Sequence, residues 1–190
     1  ATNLTDIDLT AAPNNNPNAA SVTAVVAADS EDLTGVDLDS DVGAIDLNGK
    51  SGVAMDAGNA HNRVITKNGG TYTITDTATN LSNANFDKAG SSDDAASVTV
   101  EIQGNAENLT AIDLDATVTA INLNGKSGVI LDMGNIGTRS ITAGGGTYVV
   151  RDAATNLTSI DLTAAPNNNP NAASVTAVVA GNAEDLTGVT

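Results

Sequence analysis

The chain nearly copies itself. Residues 1–37 and 154–190 align without a gap at an offset of 153, differing only at Asp6/Ser159, Ala28/Gly181, Asp29/Asn182, Ser30/Ala183 and Asp37/Thr190. A further copy lies between them: residues 19–77 align with 95–153 at an offset of 76, with 32 of 59 positions identical. The organisation is therefore block A (1–77), block B (78–153) and the first half of a third block (154–190). Self-similarity at a fixed period marks repeat architectures, in which each unit buries its apolar face on its neighbours. Both ends fall inside ordinary repeat sequence and no initiator Met or signal peptide is present. Since a stand-alone array usually ends in atypical capping repeats, we expect this chain to be part of a longer one.

A finer pattern runs inside each block. The six-residue motif Leu/Val, Thr/Gly, any, Ile/Val, Asp/Asn, Leu occurs at 4–9, 33–38, 42–47, 109–114, 118–123 and 157–162, with a degenerate copy at 81–86. In Val36-Asp37-Leu38 and Ile121-Asn122-Leu123 apolar residues flank a polar one, the period of two of a half-buried strand. The two blocks compared show which side faces out. Val22, Ala24 and Val26 correspond to Val98, Val100 and Ile102, whereas Val25 becomes Glu101. A buried position would hardly accept that exchange.

Strand centres fall at even steps. Val25, Ile45 and Ile65 form one series and Val36, Met55 and Ile74 another, each stepping by 19 or 20 residues. Turn formers separate them: Asn48-Gly49-Lys50, Gly58-Asn59, Asn68-Gly69-Gly70, Asn124-Gly125-Lys126 and Gly144-Gly145-Gly146. An Asn-rich insertion bracketed by Pro13 and Pro17, and again by Pro166 and Pro170, can bulge from one edge without disturbing a stack.

Composition narrows the kind of core. Apolar residues make up 41% of the chain but aromatics only 2%: Tyr72, Phe86 and Tyr148. Without large rings to fill irregular gaps, the interior needs a repeating shape lined by Val, Ile, Leu and Ala. These features together predict an all-β fold, a parallel β-solenoid with coils of about 19–20 residues and roughly four coils per 76-residue repeat. Tandem small β-sandwich domains are the alternative, although these normally carry several aromatic anchors each.

The same counts bear on partners. Seven basic residues against 23 acidic give a net charge of −16, so no basic surface for nucleic acid is expected. No run of about 18 apolar residues exists to enter a membrane. The absence of cysteine removes disulfides and thiol chemistry.

Motifs that suggest chemistry fail on inspection. Ala44 to Ser51 is one glycine short of a phosphate-binding loop, block B fails in the same way at Ala120 to Ser127, and a helix should follow but a strand does. An Asn-Gly turn is the better reading. His61 has Gly137 as its counterpart and reads as a turn residue. Acidic pairs such as Glu31-Asp32 lack the aromatic or basic cleft of a sugar-cleaving β-helix. No catalytic or cofactor-binding residue is assigned, and we expect no enzyme.

Asp37, Asp39 and Asp41 alternate as though along one strand face and resemble the start of a calcium loop. Val42 and Asn48 then stand where an EF-hand needs Gly and Glu. Carboxylates stacked on adjacent coils still suit calcium, and Asp37, Asp39, Asp113 and Asp115 are the candidates. The competing reading is a solvated acidic edge that prevents aggregation. No cofactor is required; calcium is expected to stabilise the array without being needed for the fold. The sequons at Asn3, Asn80, Asn108 and Asn156 all precede the strand motif, in a place that Asp32 fills once, and so read as turn residues.

The segments Thr71-Tyr72-Thr73-Ile74-Thr75-Asp76-Thr77-Ala78-Thr79-Asn80-Leu81 and Tyr148-Val149-Val150-Arg151-Asp152-Ala153-Ala154-Thr155-Asn156-Leu157 resemble a recurring unit of very large secreted bacterial surface proteins. In those, a Tyr-x-Val-x-Asp-Thr-Ala-x-Asn-Leu string closes each repeat; Ala153 departs from it at the Thr place. The resemblance implies an adhesin, surface-layer (S-layer) or matrix-fibre protein, extracellular or at the cell surface. It supplies no catalytic residue to carry over.

The expected function is a structural component of an extracellular filament or surface array, its partner being itself through end-to-end stacking. The alternative is an adhesin module for a glycan, ice or cell-surface ligand. The alternating Thr71, Thr73, Thr75 and Thr77 would suit an ice-binding face, but block B has Thr147, Val149, Arg151 and Ala153 there.

Overall fold

A computed structural model describes residues 22–82, 95, 97–114, 116–137, 139–157 and 172–178. The chain divides into two compact units, one of residues 1–76 and 83–98, the other of 77–82 and 99–190. Both are mostly strand, arranged in parallel sheets, with a few one-turn helices.

In the first unit β1 (Val22–Val25), β2 (Val42–Asp46) and β4 (Val64–Thr66) form one parallel sheet, and β3 (Val53–Met55) pairs with β5 (Tyr72–Asp76). Strands consecutive in a sheet are one circuit of chain apart, as parallel pairing requires a crossover connection. The circuit is short, since Val53 pairs with Tyr72 and Ile45 with Ile65. Like residues thereby stack on like. Ala24, Ile45 and Ile65 form one buried row, and Met55 with Ile74 forms another. Such rows replace the aromatic core the chain lacks. Val25, the residue that becomes Glu101, is 49% exposed.

The second unit follows the same plan. Here the part of β6 (Ser97–Glu101) from Thr99 onward, β7 (Ala120–Asn122) and β9 (Ser140–Thr142) align Val100, Ile121 and Ile141. A second sheet joins β8 (Val129–Leu131), β10 (Tyr148–Ala153) and β11 (Ala172–Val178) in parallel. Tyr148 pairs with Val129, as Tyr72 does with Val53, so each tyrosine opens a strand and packs inward.

Turn chemistry sets the corners. Asn48 and Gly49 both adopt positive φ, the two-residue turn that Asn-Gly favours, and the chain runs on into β3. At the neighbouring corner Gly70 lies so close to the previous circuit that any Cβ would overlap the Lys50 carbonyl; Gly146 stands in the same relation to Lys126.

The described residues are compatible with an all-β fold, with short helical turns α1 (Ala57–Ala60), α2 (Ala78–Ser82), α3 (Met133–Ile136) and a 3-10 turn at Ala154–Asn156 between strands. Four expectations need correction. Gly58-Asn59, read as a turn, lies within α1. The motif copies at 33–38 and 109–114 are not strands, whereas 42–47 and 118–123 carry β2 and β7. Leu33 and Leu109 are still buried, but each chain then bends at Thr34-Gly35 or Thr110-Ala111. The second series accordingly starts at Asp32, bridged to Ala54, and not at Val36; Asn108 bridges Ile130 likewise. In the first series the partner of Ile45 is Ala24, one residue before Val25. The Pro-bracketed insertions, Asn3, the motif copy at 4–9, residues 83–86 of the degenerate copy and residues 158–162 of the last copy lie outside the described residues.

Candidate functional site

The conspicuous polar construction of each unit is built around its one-turn helix. In the first unit Asp56 caps α1, its Oδ1 accepting the Asn59 N–H at 2.8 Å. Its Oδ2 accepts the Gly35 N–H at 3.0 Å from the preceding circuit. Asp76, one circuit later, accepts the Ala57 N–H at 3.0 Å. Carboxylates near a helix start satisfy donors that the helix leaves free. Here they also tie one circuit to the next.

Asn59 and Arg63 complete the corner from inside. Asn59, 2% exposed, donates from Nδ2 to the Leu33 and Val36 carbonyls at 2.8 and 2.6 Å, and its Oδ1 accepts the Leu38 N–H at 3.3 Å. Arg63, 8% exposed, spends all five guanidinium donors on carbonyls: Val42, Gly58, Asn59, Leu38 and Asp39. Burial lowers the Arg63 pKa, while the nearby carboxylates of Asp37, Asp56 and Asp39 pull it the other way. Asp37 and Asp39 thus serve as counter-charges to a buried cation. The carbonyls of Leu33, Val36, Leu38, Asp39 and Val42 are held by side chains, which do here what a strand partner does elsewhere.

The second unit repeats these residues with a different outcome. Asp132 caps α3, Asp152 reaches Met133 N–H at 2.9 Å, and Arg139 donates to the Val118, Gly134, Asn135 and Leu114 carbonyls. Asn135, 2% exposed, donates to the Leu109 carbonyl at 3.0 Å and to Asp132 Oδ1 at 2.8 Å. Its own Oδ1 is buried and has no partner among the described residues. The two donor contacts fix the amide orientation, because a flip would set oxygen against two acceptors. An unsatisfied buried acceptor of this kind costs about 1–3 kcal/mol.

One exchange stands where the two loops part. Gly35 sits at φ +78°, a left-handed conformation that directs its N–H to Asp56. The counterpart is Ala111, which is not among the positive-φ residues. Left-handed backbone is unfavourable for alanine by roughly 1–2 kcal/mol. The 109–114 loop takes another path, and neither Ala111 N–H on Asp132 nor Leu114 N–H on Asn135 is found among the described residues. Between loop and helix opens a depression of about 230 Å³, lined by residues 110–113 with Asp132, Gly134 and Asn135.

The sequence-derived calcium candidates are distributed around these corners. Asp37 and Asp41 are exposed, and Asp39, half-buried, accepts the Asp41 N–H at 2.8 Å. The stretch bends, so the three aspartates do not share a strand face. Asp113 is exposed and lines the depression; Asp115 lies outside the described residues. Among the described residues no three Asp, Glu or His side chains converge as a metal-holding group.

No family model, curated protein or solved structure matches the chain. Its own two units are the comparison available.

His61 ends α1 in a turn, its Nε2 2.6 Å from the Asn62 amide. Asn108 accepts from the N–H and hydroxyl of Thr110, as Asp32 does from Thr34, so the sequon Asn at 108 serves its own turn. The Thr34 hydroxyl, then its N–H, hold the Asp32 carboxyl below the usual range. Burial pushes Asp152 up, but bonds from Met133, Asn156 and Ala153 together bring it below that range. Sequence reasoning missed Asp56, Asn59, Arg63 and their counterparts Asp132, Asn135 and Arg139. A signal was available: all three are identical between blocks, and Arg63 and Arg139 are two of only seven basic residues.

Proposed function

We propose that the chain is a segment of an extracellular structural array whose units are β-solenoids, each circuit stacked on the last. One observation carries this reading: consecutive circuits are joined by parallel ladders and also by side chains reaching back one circuit. Gly35 to Asp56, Ala57 to Asp76, and Leu33 to Asn59 are such links. Ser51 N–H to Asp29 and Gly52 N–H to the Thr71 hydroxyl do the same at the opposite corner. A bond set of that form can be repeated without limit, and stability then grows by nearest-neighbour contacts. The acidic surface keeps such strands soluble and their edges apart. The resemblance of the Tyr72–Leu81 string to repeats of secreted bacterial surface proteins adds the location.

Lengthening the chain by further copies of residues 78–153 tests it. Small-angle scattering should show each added block extending a rod of constant cross-section by about 19 Å, four strand spacings. Growth by a whole domain diameter per block would favour the tandem sandwich instead.

A further inference from the structure

We propose that the depression beside Asn135 is a weak calcium site that the second unit carries and the first has closed. This inference does not depend on the filament reading. Three oxygens offer themselves, two from the helix start and one from the loop. Asn135 lines the depression, and its Oδ1 is buried and without a partner among the described residues. Asp132 uses Oδ1 for the Asn135 backbone and amide N–H groups, leaving its second carboxylate oxygen without the N–H that Asp56 receives from Gly35. Asp113 brings a second carboxylate from the loop.

These groups are all acceptors. A hydroxyl ligand would satisfy one of them and leave the others facing each other, whereas a hard cation satisfies all together. Calcium takes six to eight oxygens in flexible geometry, amide oxygens and water included. It approaches each oxygen to about 2.3–2.6 Å, nearer than a water molecule at about 2.8 Å, and so can be shared by acceptors set close together. The charge balance limits affinity. Arg139 binds the Gly134 and Asn135 carbonyls just behind the site and offsets one of its two carboxylates. Dissociation constants of about 10⁻⁴–10⁻³ M, the range of extracellular calcium modules, follow.

The first unit lacks the site because its loop supplies the missing donors. Leu38 N–H occupies Asn59 Oδ1 and Gly35 N–H occupies Asp56 Oδ2. Two backbone protons there stand where the ion would be.

Titration calorimetry of the 190-residue chain with calcium chloride, with terbium luminescence as a second readout, tests the proposal. One saturable site in the millimolar or submillimolar range is expected. Asp113→Asn should weaken it by about tenfold or more by removing a charged ligand. Ala111→Gly should abolish it, since glycine lets the loop adopt the closed path of the first unit. Asp37→Asn should leave binding unchanged. No saturable binding up to about 10 mM, well above that range, overturns the proposal. So does retention of wild-type affinity by either Asp113→Asn or Ala111→Gly. Far-ultraviolet circular dichroism of each variant establishes that a loss is not unfolding.

Discussion

Gly35 and Ala111 hold equivalent places 76 residues apart, and the loops around them close differently on equivalent helices. In the first unit the loop gives Asp56 and Asn59 one N–H each, and every polar group of the Asn59 amide is engaged. In the second, Asn135 keeps a buried acceptor unpaired beside a depression. What the two share is equally telling. Arg63 and Arg139 bind corresponding carbonyls at nearly the same distances, so the guanidinium anchors the corner whichever path the loop takes. A repeat therefore tolerates local rebuilding as long as its buried cation and capping carboxylates persist.

The largest effect should come from that shared anchor. Arg63→Ala and Arg139→Ala each strand several buried carbonyls, and each should lower unfolding free energy by about 3–5 kcal/mol in urea titrations. Equal losses would establish the corner as common machinery; a loss below about 1 kcal/mol in either would break the comparison.

The asparagines should then separate the units. Asn59→Ala removes two donated bonds and one accepted, a loss of about 2–3 kcal/mol. Asn135→Ala removes an amide whose oxygen is already unpaired, so about 1 kcal/mol is expected. Denaturant midpoints measured side by side decide whether the unpaired oxygen is a real defect of the second unit. Equal values would mean that it is not.

Tyrosine offers a smaller contrast. Tyr148 is fully buried, and its hydroxyl has no partner among the described residues; burial also raises its pKa. Tyr148→Phe should be neutral or stabilise by up to about 1 kcal/mol. A clear loss of stability in thermal melts would reveal a partner for the hydroxyl.

The smallest effect concerns acid. The Asp152 carboxyl is held below its usual range in the folded chain, so its contribution is present above the unfolded pKa of about 3.9. It is lost as pH falls through the folded value. Stability should decline below about pH 4 more gently in Asp152→Asn than in the wild type. Chemical denaturation at pH 5, 4, 3 and 2 reads the slopes, and identical slopes would remove Asp152 from the account.

Much of the scaffold was legible in the residues. The exchange of Val25 for Glu101 between blocks marked an outward position, and the spacing of Ile45 from Ile65 and Met55 from Ile74 matched the pairing. Period and burial are local properties, and a repeating chain displays each twice. The corners were harder to read. Leu33 to Leu38 has the same pattern as Val42 to Leu47, yet one bends and the other pairs.

What the sequence alone determined is the repeat, the spacing of its aliphatic rows and its Asn-Gly corners at 48–49 and 124–125, because these follow from side-chain period and from the backbone freedom of Asn and Gly. Tertiary structure alone decided where the polar groups go. Asn59 lies 26 residues from Leu33, Arg63 lies 25 from Leu38, and Asp76 lies 19 from Ala57. No local pattern links such partners; they meet only when one circuit is laid on the next. Burial then favours donors for the carbonyls held there, and the loops part where Gly35 in one block is Ala111 in the other.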